Sequence, residues 1–196
     1  WNKNAGSEFC VTAYDPNNNR FIVCETTNIP AGTFSALEWK REVRRLNHIW
    51  QPEYIYADQG YGHTIIEELK LMAYELQGNA RTEEEQSAAK LVDRLKAFDF
   101  KANVELRNPM TNVLIKKSGK HYIVENTVRL LETEQIWFSM HDIALKSQLE
   151  SYVVLSRSKA DGKPVYGPAT KTIGDHRLDA FMLSLAGITL NVLEFK

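Results

Sequence analysis

Apolar and polar positions follow two different periods along this chain, and the changes between them divide the sequence into predicted strands and helices. Runs rich in β-branched and aromatic residues are typical of strands, and they cover residues 8–15, 20–28, 53–60, 102–109 and 135–139. Apolar residues spaced three and four apart favour helices, and these segments cover residues 33–50, 63–77, 80–100, 121–133 and 141–154. Strands that alternate with helices predict an α/β fold, in which a mixed β-sheet is flanked by helices on both faces.

Turn and capping residues refine these boundaries. The "PNNN" between the first two strands predicts an antiparallel hairpin, and Thr33 is the expected N-cap of the first helix. Residues 155–172 contain "DGKP", which predicts an added β-hairpin before a last helix that begins near Asp175. No repeat or linker interrupts the pattern, so residues 1–196 are expected to form a single domain.

Composition excludes several classes of protein. The chain has 24 basic and 25 acidic residues, and this balance argues against a nonspecific basic coat for nucleic acid. Cys10 and Cys24 lie in strand-like runs, which favours buried thiols in a reducing compartment. No apolar run reaches the ~18 residues of a membrane span and no signal peptide is visible, so we expect neither a membrane partner nor secretion. The chain opens on Trp1, and we expect it to be part of a longer protein.

The last predicted helix, within "TIGDHRLDAFMLSLAGITL", is apolar except for ionisable groups in its first turn. Asp179 lies four residues after Asp175 and three after His176, so all three side chains can share one helix face. A carboxylate at the start of an apolar helix costs several kcal/mol when it is buried without compensation. Asp179 is therefore expected to face a cation or a polar cleft.

Asp58 is a second candidate, at the carboxyl end of the strand in "YIYADQGYG". If Asp58 and Asp179 converge, they form an oxygen-rich site that suits Mg²⁺ or Mn²⁺. Two such ions can activate a water and stabilise the leaving oxygen of a phosphodiester, and His176 could orient that water. Simpler interpretations stay open: Asp58 as a turn residue, Asp175 as an N-cap, and His176 as an exposed helix start.

Basic residues are the candidates for phosphate contacts. Those nearest to the acidic helix lie on the predicted hairpin: Arg157, Lys159, Lys163 and Lys171. An ordinary solvated hairpin is the alternative. Lys116, Lys117 and Lys120 flank Gly119 in a predicted loop. The sequence contains neither a phosphate-binding P-loop nor a serine-hydrolase elbow, which disfavours an ATP site and serine chemistry.

The motifs "YADQGYG" and "VYGPATKTIGDHRLDAFMLSLAG" together resemble the nuclease domain of the large terminase subunit of tailed bacteriophages. The resemblance extends over essentially the whole chain. It implies an RNase H-like fold and an endonuclease that cuts concatemeric double-stranded viral DNA during packaging. Asp58 and Asp179 match two metal-binding acids of the family, His176 matches a histidine near the metals, and Asp175 is an accessory.

The resemblance also implies partners and a missing element. An ATPase domain of the same subunit, the small terminase subunit, the portal protein and the host cytoplasm are the implied context. The family's first acid would stand just before Trp1, so the strand that carries it is expected outside this chain. A rival alignment takes Asp15 as that acid, but "DPNNNR" favours a turn. The alternative functions are another RNase H-like nuclease, such as a junction resolvase or recombinase, and an inactive module that docks on DNA or the portal.

Overall fold

The computed structural model describes residues 6–60, 62–107, 112–159, 162–170 and 172–194. The strands are β1 Ser7–Asp15, β2 Arg20–Ile29, β3 Ile55–Asp58, β4 Leu95–Phe98, β5 Asn103–Arg107, β6 Leu114–Ser118, β7 Ile136–Trp137, β8 Tyr152–Arg157 and β9 Pro164–Pro168. The helices are α1 Ala36–Trp50, α2 His63–Leu76, α3 Glu83–Ala89, α4 Leu91–Arg94, α5 Gly119–Glu132, α6 Ile143–Ser151 and α7 His176–Glu194. The predicted α/β class with a mixed sheet flanked by helices is confirmed.

Strand pairing is both parallel and antiparallel. β1 pairs antiparallel with β2, and β2 pairs parallel with the short β7. β3 and β4 form a separate parallel pair, while β5–β6 and β8–β9 are antiparallel hairpins. The β8–β9 pair is the hairpin expected before the last helix. Among the described strands, β1 and β3 each have a single neighbouring strand.

The β1–β2 turn forms as its residues predict. The Asp15 carboxylate accepts hydrogen bonds from the Asn17 backbone N–H at 3.0 Å and from the Asn18 amide at 2.6 Å. Asn19 adopts a left-handed conformation with φ of 50°, which asparagine tolerates well. These bonds engage Asp15 within the turn, in agreement with the turn interpretation of "DPNNNR".

The start of α1 differs from the prediction. Ser35, and not Thr33, is the N-cap, and its hydroxyl accepts a hydrogen bond from the Glu38 backbone N–H at 3.1 Å. Thr33 belongs instead to a short 3₁₀ turn, Ala31–Thr33. Ser35 and Glu38 have the spacing of a capping box, in which the N-cap hydroxyl accepts from the backbone N–H three residues later. This spacing favours Ser35 as the cap.

The predicted helix 80–100 is wrong after Arg94. A capping box between Thr82 and Glu85 starts α3, but after α4 the chain becomes β4 and pairs with β3. Leu95 and Phe98 are buried there. Pairing and burial beside β3 override the local helical pattern, as tertiary context commonly does.

Two smaller boundaries also shift. The predicted lysine loop before Gly119 contains β6, which pairs with β5. The predicted helix 141–154 ends at Ser151, because Tyr152 begins β8 without an intervening loop.

Two hydrophobic clusters lie on opposite sides of the strands. The first gathers side chains of α5 and α7, and the second those of α1, α2 and β4. Along β1, Cys10 packs on the first cluster and Phe9 on the second; along β3, Tyr56 packs on the first and Ala57 on the second. Successive strand residues point to opposite faces, so β1 and β3 run between the same two layers.

None of the helices in the described part of the chain combines the length and apolar character that crossing a bilayer requires.

Candidate functional site

Asp58 ends β3 and is held by its own turn. Its carboxylate accepts a hydrogen bond from the Gly60 backbone N–H at 3.0 Å, and the Gln59 N–H donates to the Phe98 carbonyl of β4 at 2.8 Å. The strand pairing therefore fixes where the carboxylate stands, and the glycine leaves room beside it. Asp58 is half-buried, which fits both a turn residue and a ligand at a strand end.

Asp179 lies in the first turn of α7, where its backbone N–H donates to the Asp175 carbonyl at 2.8 Å. Its side chain is mostly buried, with only 21% of its surface exposed to solvent. Lys120 forms an ion pair with it from the start of α5. Asp179 faces a cation, as predicted, and that cation is the ammonium group of Lys120.

The Lys120–Asp179 pair is strongly desolvated. Burial raises the pKa of Asp179 above the usual carboxyl range, and Lys120 offsets only part of this increase. Burial lowers the pKa of Lys120, but the attraction and hydrogen bonding of Asp179 and Tyr152 together outweigh it, and the pKa is raised overall. Each charge therefore depends on the other.

Backbone contacts hold Lys120 in place. The Lys120 N–H donates to the Phe100 carbonyl at 2.9 Å and the Gly119 N–H to the Ala102 carbonyl at 2.8 Å. A Cβ on Gly119 would lie 2.5 Å from the Asp99 carbonyl oxygen, so only glycine permits this close approach. The sequence predicts a loop around Lys120, and the 59 residues between Lys120 and Asp179 give no signal of the pair.

A second ion cluster lies on the same turn of α7. The Arg177 guanidinium donates to Glu8 at 3.0 Å and to Asp142 at 2.9 Å. Asp142 also accepts hydrogen bonds from Thr26 at 2.7 Å and from the Leu145 N–H at 3.0 Å, as the N-cap of α6. Arg177 thereby ties β1 and α6 to the start of α7, which fixes the direction in which Asp179 points.

One cavity of about 760 Å³, here called the central cavity, joins the candidate residues. Asp58, His176 and Asp179 all line it, together with Glu8. His176 is exposed as the first residue of α7. Asp175 lies half-buried just before that helix, and its charge contributes to the raised pKa of Asp179. Two acids from distant parts of the sequence thus face a common space.

The basic residues of the hairpin lie elsewhere. Arg157, Lys159 and Lys163 are exposed, and none of the described residues that line the central cavity belongs to β8–β9. Lys171 lies outside the described residues. A role of the hairpin in binding phosphates stays a prediction.

The carboxylate groups at the central cavity are of the chemical type that binds a divalent cation. Carboxylate oxygens are the ligands that Mg²⁺ and Mn²⁺ prefer, and Asp58 and Asp179 supply them. Within the described ranges, however, no three His, Cys, Asp or Glu side chains stand close enough to hold a metal ion. The Lys120 ammonium already compensates Asp179. A cation at this place would use Asp58 and Asp179 and would compete with Lys120.

Comparison with known proteins identifies no relative: no family model, curated protein or solved structure matches this chain.

Proposed function

We propose that this chain is a divalent-metal-dependent endonuclease domain of the terminase type, with an RNase H-like fold, that cleaves double-stranded viral DNA during packaging. The observation that carries the proposal is that Asp58 and Asp179 line one cavity. They come from a strand end and a helix start, the two places that the motif resemblance assigns to metal-binding acids. The wider context of an ATPase domain, small subunit, portal protein and host cytoplasm belongs to the same proposal.

Each residue has a separate task in this proposal. Asp58 and Asp179 hold Mg²⁺ or Mn²⁺, with Asp175 as an accessory, and two such ions supply an activated water and charge stabilisation for phosphodiester hydrolysis. His176, exposed at the rim, orients the DNA backbone or a water. Arg157, Lys159, Lys163 and Lys171 contact phosphates on either side of the scissile bond.

The test is nicking of supercoiled plasmid in Mn²⁺ by the wild type and by Asp58→Asn and Asp179→Asn. Asparagine at position 58 keeps an acceptor for the Gly60 N–H, so the turn should persist while the charge is lost. Each substitution should lower the nicking rate by at least ~100-fold. Asp15→Asn is the matched control, because Asp15 is engaged in the β1–β2 turn, and it should cut at the wild-type rate.

Two results would contradict the assignment. Nicking at the wild-type rate by either site variant removes that acid from the chemistry. Faster cleavage of a four-way junction than of linear duplex would favour a junction resolvase.

A non-catalytic docking module is the second candidate. It is favoured by the Lys120–Asp179 pair and by the lack, within the described ranges, of a three-residue ligand group. Calorimetry with Mn²⁺ distinguishes the two, since the docking module should give no binding heat and should retain its affinity for DNA or the portal.

A further inference from the structure

Lys120 occupies the carboxylate on which the proposed metal ion would bind. Its ammonium contacts the Asp179 side chain, and Asp179 lines the central cavity together with Asp58. A carboxylate that an ammonium group already neutralises binds a second cation weakly, because the two cations repel each other and compete for the same oxygens. A divalent ion at Asp179 therefore has to displace the Lys120 ammonium.

Two aromatic rings lie beside the same ammonium. It stands 5.0 Å from the centre of the Phe100 ring and 5.5 Å from the centre of the Tyr152 ring. Aromatic faces attract a cation within about 6 Å of the ring centre. Burial raises the pKa of Tyr152, and the charge of Lys120 offsets part of that increase. The two rings thus offer the ammonium a position next to the site after it has left Asp179.

The side chain of Lys120 can move while its backbone stays fixed. The Lys120 N–H donates to the Phe100 carbonyl at 2.9 Å, which anchors the residue at the start of α5. A flexible stem of four carbons connects the backbone to the ammonium. The side chain is 24% exposed, so part of it is open to an incoming ligand.

The exchange changes the balance of charge at the site. With a divalent ion on Asp179, two cations stand close together in a mostly buried place, which is unfavourable unless an anion joins them. Asp58 and Asp175 are assigned to the metal in the proposed function. A phosphate of the DNA backbone is therefore the anion that pairs with the released ammonium, and lysine binds phosphate as a compact point charge.

We propose that Lys120 is a phosphate-binding residue of this site that pairs with Asp179 until a divalent ion takes its place, and that this exchange makes metal binding and DNA binding depend on each other. The role assigned to Lys120 rests on the proposed nuclease function. Without DNA the site binds Mn²⁺ weakly, and DNA strengthens that binding. By linkage, the metal strengthens DNA binding by the same factor.

The first test is titration calorimetry with Mn²⁺, without DNA and at a mildly alkaline pH that keeps the carboxylates ionised. Lys120→Met should bind Mn²⁺ at least ~10-fold more tightly than the wild type, because the ion no longer displaces a charge. Lys40→Met is the matched control, since Lys40 pairs with Glu68 at 2.6 Å and is 16% exposed. Neither Lys40 nor Glu68 is among the described residues that line the central cavity, so this variant should bind Mn²⁺ as the wild type does.

The second test measures the coupling between metal and DNA. Fluorescence anisotropy gives the affinity for a short DNA duplex with and without Ca²⁺, which takes the same oxygen ligands and replaces Mn²⁺ here to limit cleavage. Ca²⁺ should raise the duplex affinity of the wild type by at least ~10-fold, and this factor should be at least ~5-fold smaller in Lys120→Met. Lys120→Arg keeps the charge and should keep most of the factor.

A measurement on the wild type keeps the proposal testable if Lys120→Met does not fold. Acetylation by acetic anhydride, followed by peptide mass spectrometry, reports the reactivity of individual lysines. Mn²⁺ should speed the acetylation of Lys120 by at least ~3-fold, because loss of the carboxylate partner makes the amine more available for reaction. The rate at Lys40 should not change, and an unchanged rate at Lys120 in Mn²⁺ would overturn the exchange.

The outcomes separate the role of Lys120 from the proposed function. Equal Mn²⁺ affinities of the wild type and Lys120→Met would overturn the competition and leave the metal site standing. Absence of Mn²⁺ binding by both proteins would overturn the metal site and the exchange with it. An equal coupling factor in both proteins would mean that DNA contacts the metal without Lys120, which contradicts the phosphate contact.

Discussion

Two ion clusters occupy the first turn of α7, and they differ in what they hold together. Arg177 stands between Glu8 and Asp142 and links two other elements to the helix. Lys120 and Asp179 form one pair, of which Asp179 lines the central cavity. The first cluster joins three elements, β1, α6 and α7, while the second joins only two, α5 and α7. Arg177, with two carboxylate partners, and Asp179, with the single cation Lys120, thus lie two residues apart on the same helix.

The largest effect is expected from Arg177→Met. This substitution leaves the carboxylates of Glu8 and Asp142 without their shared cation in a mostly buried site. Removing one member of a buried ion cluster costs about 3 kcal/mol or more. Urea denaturation would measure it, with Arg41→Met, which removes an exposed pair with Glu38, as a control that should change stability by less than ~0.5 kcal/mol. Equal losses in the two variants would contradict the structural role of Arg177.

Lys120→Met should have the next largest effect and lower the free energy of unfolding by about 2 kcal/mol, because it leaves the buried Asp179 carboxylate without a compensating cation. The double variant Lys120→Met/Asp179→Leu should recover most of that loss, since replacing both charges with apolar groups is close to neutral. A double-mutant cycle measures the coupling between the two residues. Additive losses would show that the pair acts through other contacts.

Asp142 and Asp179, one carboxylate from each cluster, should respond to pH with opposite signs. Hydrogen bonds from the Leu145 N–H, Thr26 and Arg177 outweigh burial and lower the pKa of Asp142, so its stabilisation is present above about pH 4 and lost as the pH falls. Burial raises the pKa of Asp179, so the folded state binds more protons there and stability decreases as the pH rises from about 4.

Unfolding free energies measured across the acid range should separate these contributions. Asp142→Asn should reduce the loss of stability at low pH, and Asp179→Asn should reduce the decrease that accompanies rising pH. Glu8, whose pKa burial also raises, contributes with the same sign as Asp179 and keeps part of that decrease. Identical pH profiles for the two variants would contradict the comparison.

The smallest effect is expected from His176→Ala. His176 lies on the same turn but is exposed, and it acts on Glu8 and Asp179 only as a weaker charge. Its loss should change the free energy of unfolding by less than ~0.5 kcal/mol in urea denaturation. A loss above ~1 kcal/mol would place His176 in one of the two clusters.

Local signals in the sequence predicted those parts of the fold that local chemistry decides. Turn residues after Asp15 marked the first hairpin, and the apolar run after Asp179 marked the last helix. β4 and β6 were missed, since their strand conformation depends on pairing with β3 and β5. The periodicity of residues 80–100 carries no information about their pairing with β3.

The candidate site divides in the same way. Asp58 and Asp179 could be proposed from strand-end and helix-start positions. Lys120 could not, because its role arises from Gly119 packing against the Asp99 carbonyl and from the approach of α5 to α7. The partners of Arg177 were equally invisible, since Glu8 and Asp142 meet it only after three elements have packed.

The direct passage from α6 into β8 ties the hairpin to the site mechanically. Tyr152 begins β8 immediately after Ser151, and the Lys120 ammonium lies 5.5 Å from the centre of its ring. The Ala169 N–H donates to the Ser151 carbonyl at 2.8 Å, which closes the base of the hairpin on α6. A tilt of the β8–β9 hairpin about the end of α6 would therefore move Tyr152 against the Lys120 ammonium and weaken its pairing with Asp179.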